Sequence, residues 1–219
     1  MGGKLSNEKI RKHDVPEVCS VTKRILGQEN GSVRSFSLRY KMLLLGLVTL
    51  LLFPIPTFLV HYFVNHISPW KILDFERFTA LNIGLGLEFG FVYGIIAMVL
   101  LQAPLFEKLP NRIDHIVRSM NLNVGDAIFL SFCAGFGEEL LFRSGVQYYL
   151  GIVLTSVIFV AIHGYLNPKN WRYSMYGSIV LPFILLLSMG FKTFGLWFAM
   201  SAHFAYDAVL FIAMLQNKD

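Results

Sequence analysis

From residue 42 onward the chain is a succession of apolar runs, separated by short polar breaks. Each run is near the length of about 20 residues that an α-helix needs to cross the hydrocarbon core of a bilayer. The 219 residues are 55% hydrophobic and 15% aromatic, with a mean hydropathy of +0.56, which is too apolar for a soluble domain. That length holds one bundle of about five to seven helices and leaves no room for a second domain. The fold class read from the pattern is all-α, a polytopic transmembrane helical bundle of about six spans with a polar N-terminal tail.

The runs differ in ways that predict their roles. Residues 42–64 form the first span, in which Pro54 and Pro56 should kink or unwind the helix. The second, about 78–103, carries Gly86, Gly90 and Gly94 on one face, a surface on which another helix backbone can approach closely. Residues 104–124 read as a loop or a surface amphipathic helix. A third span covers about 125–142, with a possible extension to Tyr149. Gly151 opens a fourth, about 151–166. Residues 167–174 form a polar turn with interfacial aromatics, and the last two spans cover about 175–190 and 193–215. The domain plan is a basic tail over 1–41 and one transmembrane domain over 42–219, with its chemistry concentrated at about 125–210.

The net charge of +5 would suggest nucleic acid in a soluble chain, but nine of the nineteen Lys and Arg residues precede residue 42. Alternating the loops puts fifteen of them on one side and leaves Lys71, Arg77, Arg143 and Lys192 on the other. By the positive-inside rule both termini are expected in the cytoplasm, in a plasma or inner membrane, with no nucleic-acid partner. Cys19 and Cys133 fall in a polar tail and a helix respectively, so no disulfide is expected.

Against this background the sequence GFGEELLFRSG is anomalous, because Glu138, Glu139 and Arg143 lie within a span. An ionisable group near the bilayer centre costs about 2.5–3.5 kcal/mol on insertion scales, so such a cluster points to a protein- or water-facing functional site. Residues four apart share a helix face, so Glu139 is placed to pair with Arg143, while Glu138 points about 100° away and is left to act as a base. Gly135 and Gly137 are expected to leave the adjacent surface open. A buried ion pair that only locks two helices is the structural alternative.

His163 and His203 each lie in an otherwise apolar span, and Asp207 follows His203 by one turn. His61 and His66 are more readily explained by interfacial positions. With Glu138, the two imidazoles and Asp207 make up the inventory of a hydrolytic site. Glu88 stands apart in the glycine-rich span, where a helix-helix hydrogen bond or a place in the same cavity are both open. Zinc on His163, His203 and Glu138 is conceivable, but no HExxH occurs and the histidines are on different spans, so no metal or other cofactor is expected. Ser131, Ser144, Ser156 and Ser201 lack a GxSxG context, and Cys133 lies before the acids by more than a turn.

EELLFR at 138–143, FVAIH at 159–163 and HFAYD at 203–207 resemble, in order, the EExxxR, FxxxH and HxxxN/D boxes of the CAAX protease and bacteriocin-processing (Abi) family of intramembrane proteases. The resemblance implies a helical bundle around a cavity and hydrolysis of a peptide bond by a glutamate-activated water. By matching positions, Glu138 is the implied general base and His163 helps to hold the water. His203 and Asp207 lie where the oxyanion is stabilised, and Glu139, Arg143 and Phe159 support the motif helix and pack against His163. Eukaryotic-type members carry Asn at the position of Asp207. Since a carboxylate repels an oxyanion, Asp207 is expected to hold His203 as a charged donor. Prenyl-protein proteases of the family also tend to have more spans than the six expected here.

The residues thus point to a membrane-embedded endopeptidase acting on a membrane protein or peptide. A non-enzymatic immunity or scaffold protein and a proton-coupled transporter are the alternatives. One tension is geometric: a straight helix from Gly125 reaches Glu138 after about 20 Å, in the half of the bilayer away from the tail, whereas a CAAX-type site opens to the cytoplasm.

Overall fold

A computed structural model of the protein describes residues 38–101, 120–166 and 171–216, the side chains of 171–173 excepted. All regular structure among the described residues is helical. Helix α1 covers Leu38–Phe63 and leads through the short α2, Pro69–Ile72, and a 3-10 turn, Phe75–Arg77, to α3, Ala80–Leu101. Next come α4, Val124–Glu139, a π-helical segment, Leu140–Val146, and α5, Gln147–Ile162. Two long helices close the bundle, α6, Trp171–Phe194, and α7, Leu196–Gln216. The basic tail before Leu38 and nearly all of the 104–124 segment lie outside the described residues, and Leu38 itself is already helical.

Five helical stretches are long and apolar enough to cross a membrane, and the chain is an integral membrane protein. The third, Val124–Ile162, is 39 residues long, about twice what one crossing requires. It holds two of the six expected spans, separated at Gly151, whose φ of 71° and ψ of −178° take it out of the helix. Only glycine enters that region without strain. The chain turns back there: Phe142 and Phe159 would lie about 26 Å apart on a straight helix, yet their ring centroids are 4.9 Å apart.

The predicted break at the prolines is present. The turn at Phe53 separates the first part of α1 from Pro54–Phe63, because proline lacks the N–H that would continue the ladder. The second half places Thr57 and His61 on one face, where both are buried. Thr57 Oγ1 donates to the Leu140 carbonyl at 3.1 Å, and His61 Nε2 donates to the Ser144 carbonyl at 2.8 Å. Both acceptors belong to the π-helical segment, whose wider turn alters the usual carbonyl pairing, and single π turns of this kind occur often at functional sites. His61 is therefore a buried group that ties α1 to the π-helical segment, a contact that an interfacial position alone did not predict.

The glycine stripe on α3 packs against α7 as its spacing predicted. A Cβ at Gly90 would run into the Ala202 backbone, one at Gly86 into Ser201 and Phe198, and one at Gly94 into Val209. Contacts advance in the same sense along both helices, so α3 and α7 run parallel. Gly135 and Gly137 correct an expectation, since neither opens free surface. A Cβ at Gly135 would lie 2.8 Å from Phe204 N and 2.9 Å from Met200 O on α7, and one at Gly137 would strike the Thr49 backbone on α1. These glycines let α4 sit between two neighbouring backbones.

The bundle is apolar on its outside and has an apolar core around Phe159, Phe183 and Leu187, within which a few polar groups are enclosed. Leu44, Leu81, Phe91 and Val153 are exposed on its outside, while Glu139, Arg143, Thr155, Ser156 and Ser188 are fully buried. Apolar side chains facing outward suit lipid as solvent, and ionisable groups within spans face the bundle interior. Glu88 falls on the exposed face of α3 and does not reach the site. Cys133 is a buried free thiol.

Candidate active site

Two adjacent carboxylates each face one imidazole. Glu138 Oε2 lies 3.5 Å from His163 Nε2, and Glu139 Oε1 lies 2.8 Å from His203 Nδ1. On a straight continuation of α4, His163 would stand about 37 Å beyond Glu138. The reversal at Gly151 is what returns it to the acid.

Glu139 holds the site together. Its second oxygen accepts from Arg143 Nε at 2.7 Å, and both side chains are 0% exposed. Arg143 also donates from Nη1 to Gln147 Oε1 at 3.2 Å and to the Ser188 hydroxyl, while Gln147 Nε2 donates to the Ser188 carbonyl at 3.0 Å. Further hydrogen bonds offset the burial of an ion pair, and this network reaches from α4 through the π-helical segment to α6, leaving Arg143 Nη2 buried without a hydrogen-bond partner. The Glu139–Arg143 pairing follows the spacing predicted from sequence. The link from Glu139 to His203 was not anticipated, because it joins residues 64 apart.

The imidazoles are oriented by their other nitrogens. His163 Nδ1 donates to the Phe159 carbonyl at 2.7 Å, one turn back on α5. This turns Nε2 toward Glu138 and leaves the imidazole 30% exposed. His203 is enclosed, with its side chain 6% exposed and Nε2 3.5 Å from Asp207 Oδ2. It therefore stands between two carboxylates, with each ring nitrogen facing one of them.

Phe159 brings the pieces into register. Its ring stacks on His163 with centroids 4.4 Å apart, meets the His203 ring edge-on at 5.8 Å, and receives the Arg143 guanidinium at 5.6 Å. The sequence reading placed it one turn from His163, and the fold makes it a wall shared by both histidines. Glu138 Oε2 is buried without a hydrogen-bond partner, its side chain 13% exposed.

All seven residues singled out from the sequence, Glu138, Glu139, Arg143, Phe159, His163, His203 and Asp207, meet in this cluster. Gln147 and Ser188 were missed. Gln147 continues the Glu139, Arg143 spacing by one more turn, a signal that could have identified it, but nothing local marks Ser188. Tyr165 also joins the cluster, its ring near-parallel to His163 with centroids 6.1 Å apart. Both ring nitrogens of His203 face carboxylates, and among the described residues no three His, Cys, Asp or Glu side chains are arranged to hold a metal.

Residues 120–209, which contain all three boxes, match the family described as type II CAAX prenyl endopeptidase Rce1-like. The resemblance to the CAAX protease family thus holds over that segment, and it supports a membrane peptidase. The chain is also 36% identical over 83 residues to the uncharacterized protein YpbD of Bacillus subtilis (strain 168), an overlap covering 37% of this chain and 42% of that relative's length. No solved structure matches.

Proposed function

We propose that the protein is an intramembrane endopeptidase that hydrolyses a peptide bond of a membrane-associated protein or peptide with a water activated by Glu138. Glu138 takes a proton from that water, whose oxygen attacks the carbonyl carbon of the scissile bond. His163, with Nδ1 tied to its own helix, presents Nε2 to the same water. The carbonyl oxygen becomes an oxyanion, and His203 Nε2–H, whose 3.5 Å approach to Asp207 Oδ2 is the longer of its two contacts, turns to it as donor. Glu138 then returns the proton to the leaving nitrogen as the C–N bond breaks. Asp207 and Glu139 favour the charged imidazole, so the negative charge that develops in the transition state meets a positive group already in place.

The supporting observation is the pairing of neighbouring acids with two imidazoles across a shared Phe159 wall. A scaffold needs only the buried Glu139, Arg143 and Gln147 network and gains nothing from Glu138 facing His163. The cytoplasmic placement of both termini remains our reading of the charge distribution.

The test compares membrane proteomes of cells carrying wild-type protein, Glu138→Gln or His163→Ala. A peptide terminus that appears only with the wild type identifies the substrate. Equal patterns from all three, with the protein folded and inserted, would overturn the hydrolase reading. Loss of a pH-driven flux in Glu138→Gln, without any new terminus, would favour transport.

A further inference from the structure

A cavity of about 800 Å³ opens at the end of the bundle formed by the 64–79 connection and the α6–α7 turn. It falls in the size range of ligand pockets, about 300–1,000 Å³. Three of its lining residues are Lys71, Arg77 and Lys192. These are also the three exposed cations assigned to the cation-poor side of the chain. Arg77 is engaged with Asp74 at 3.7 Å and with the Lys192 carbonyl at 3.3 Å. Asp74 Oδ2 in turn accepts the Leu196 N–H at 3.1 Å, so this part is structural. The ammonium groups of Lys71 and Lys192 have no ion-pair partner among the described residues. The remaining acid of the cavity, Glu76, leaves its five formal charges at a net of +1.

His61 also lines the cavity, but with Nε2–H committed to Ser144 O its buried Nδ1 is an acceptor and gives an anion no donor. One further feature points to what occupies the cavity. The rim is aromatic, with Trp70 71% exposed and Tyr148 58% exposed at the ends of the membrane helices. Half-exposed Trp and Tyr at that level mark headgroup depth. A polyanionic protein surface would not need an aromatic, apolar wall. A lipid whose phosphate lies between two lysines and whose glycerol and first acyl carbons lie on aromatic rings would use both.

We propose that this cavity is a binding site for the phosphate headgroup of an anionic phospholipid, held by Lys71 and Lys192, in the leaflet away from the Arg39 end of α1. The site is separate from the cluster at Glu138. Ser144 and Tyr148, which line the cavity, stand about 9 and 15 Å further along the helix axis than Glu138, and the fully buried Glu139 and Arg143 pair intervenes. It therefore stands or falls independently of the hydrolytic reading.

The full-length protein is released from nanodiscs of equal phosphatidylglycerol and phosphatidylcholine, and its retained lipids are counted by native mass spectrometry. Wild type keeps phosphatidylglycerol in preference to phosphatidylcholine. Lys71→Gln/Lys192→Gln reduces that preference by roughly 30-fold at low salt, at about fivefold per lysine. Both lysines are exposed and side-chain unpaired, so an unchanged unfolding temperature in detergent accompanies the loss. Equal retention of both lipids by the wild type, or an unaltered preference in the double variant, would overturn the proposal. Displacement of phosphatidylglycerol by millimolar inorganic phosphate would do the same, and would reassign the cavity to a soluble anion.

Discussion

Glu138 and Glu139 are chemically identical neighbours in different surroundings, to which the proposed function gives opposite duties, and substitution separates them. Glu139 holds Arg143 and His203 at zero exposure, so Glu139→Gln strands a buried guanidinium. Loss of one partner from such a pair costs about 3–5 kcal/mol, which should appear as a lowered unfolding temperature in detergent. Glu138→Gln keeps the shape of the side chain and disturbs only the long 3.5 Å approach to His163. It should unfold with the wild type while losing hydrolysis by about 10²- to 10⁴-fold in a reconstituted cleavage assay. Identical unfolding of the two variants would show that the division of labour is wrong. The geometry of this division was legible in part: a four-residue spacing predicts Glu139 with Arg143, but no spacing within a helix predicts His203.

At the scale of elements, glycines decide how helices meet. Gly90 has the Ala202 backbone where its Cβ would be, whereas Gly84, on the same helix, has nothing within 4 Å. Gly90→Leu should therefore destabilise by about 1–3 kcal/mol or prevent assembly, because a backbone cannot yield as a side-chain tip can. Gly84→Ala should be neutral or mildly stabilising by helix propensity. Equal thermal stability of the two variants would contradict parallel packing of α3 on α7. Gly151→Ala carries a different penalty, about 1–3 kcal/mol of backbone strain at φ 71°. Because that turn returns His163 to Glu138, its activity should fall further than its stability. The α3 stripe could be read from sequence because 4-residue periodicity is a property of one helix. The contacts of Gly135 and Gly137 could not, since a glycine looks the same whether it borders a cavity or a backbone.

For the whole molecule, ends and faces matter. Arg39 Nε pairs with Asp126 Oδ2 at 2.9 Å, bringing the starts of α1 and α4 to one end. Tyr149 with Asn65, and Trp197 with the Leu73 carbonyl, mark the other end. Arg39 is 33% exposed, so this pair contributes little to stability, at most about 1 kcal/mol. Under the proposed orientation, Glu76→Cys in a Cys19→Ser, Cys133→Ser background should react with an impermeant maleimide added to intact cells, and Asn121→Cys only after permeabilisation. The reverse pattern would invert the molecule in its membrane. Both helices set the depth of the site. Glu138 lies about 20 Å along α4 from Gly125 and the return from Gly151 to His163 is about 18 Å, so the acid and the imidazole meet at one depth, 3.5 Å apart.

The sequence by itself determined that the chain spans a membrane, which residues are the candidates for its chemistry, and how Glu139 meets Arg143 and α3 meets α7. Each of these depends on composition or on the period of one helix, and both are local. Only the tertiary structure decided that the long third stretch reverses at Gly151, that His61 is buried, that Glu139 clasps His203, and that Phe159 separates two imidazoles. Those relations join residues far apart along the chain, and their distances depend on the path between them, which hydropathy does not encode.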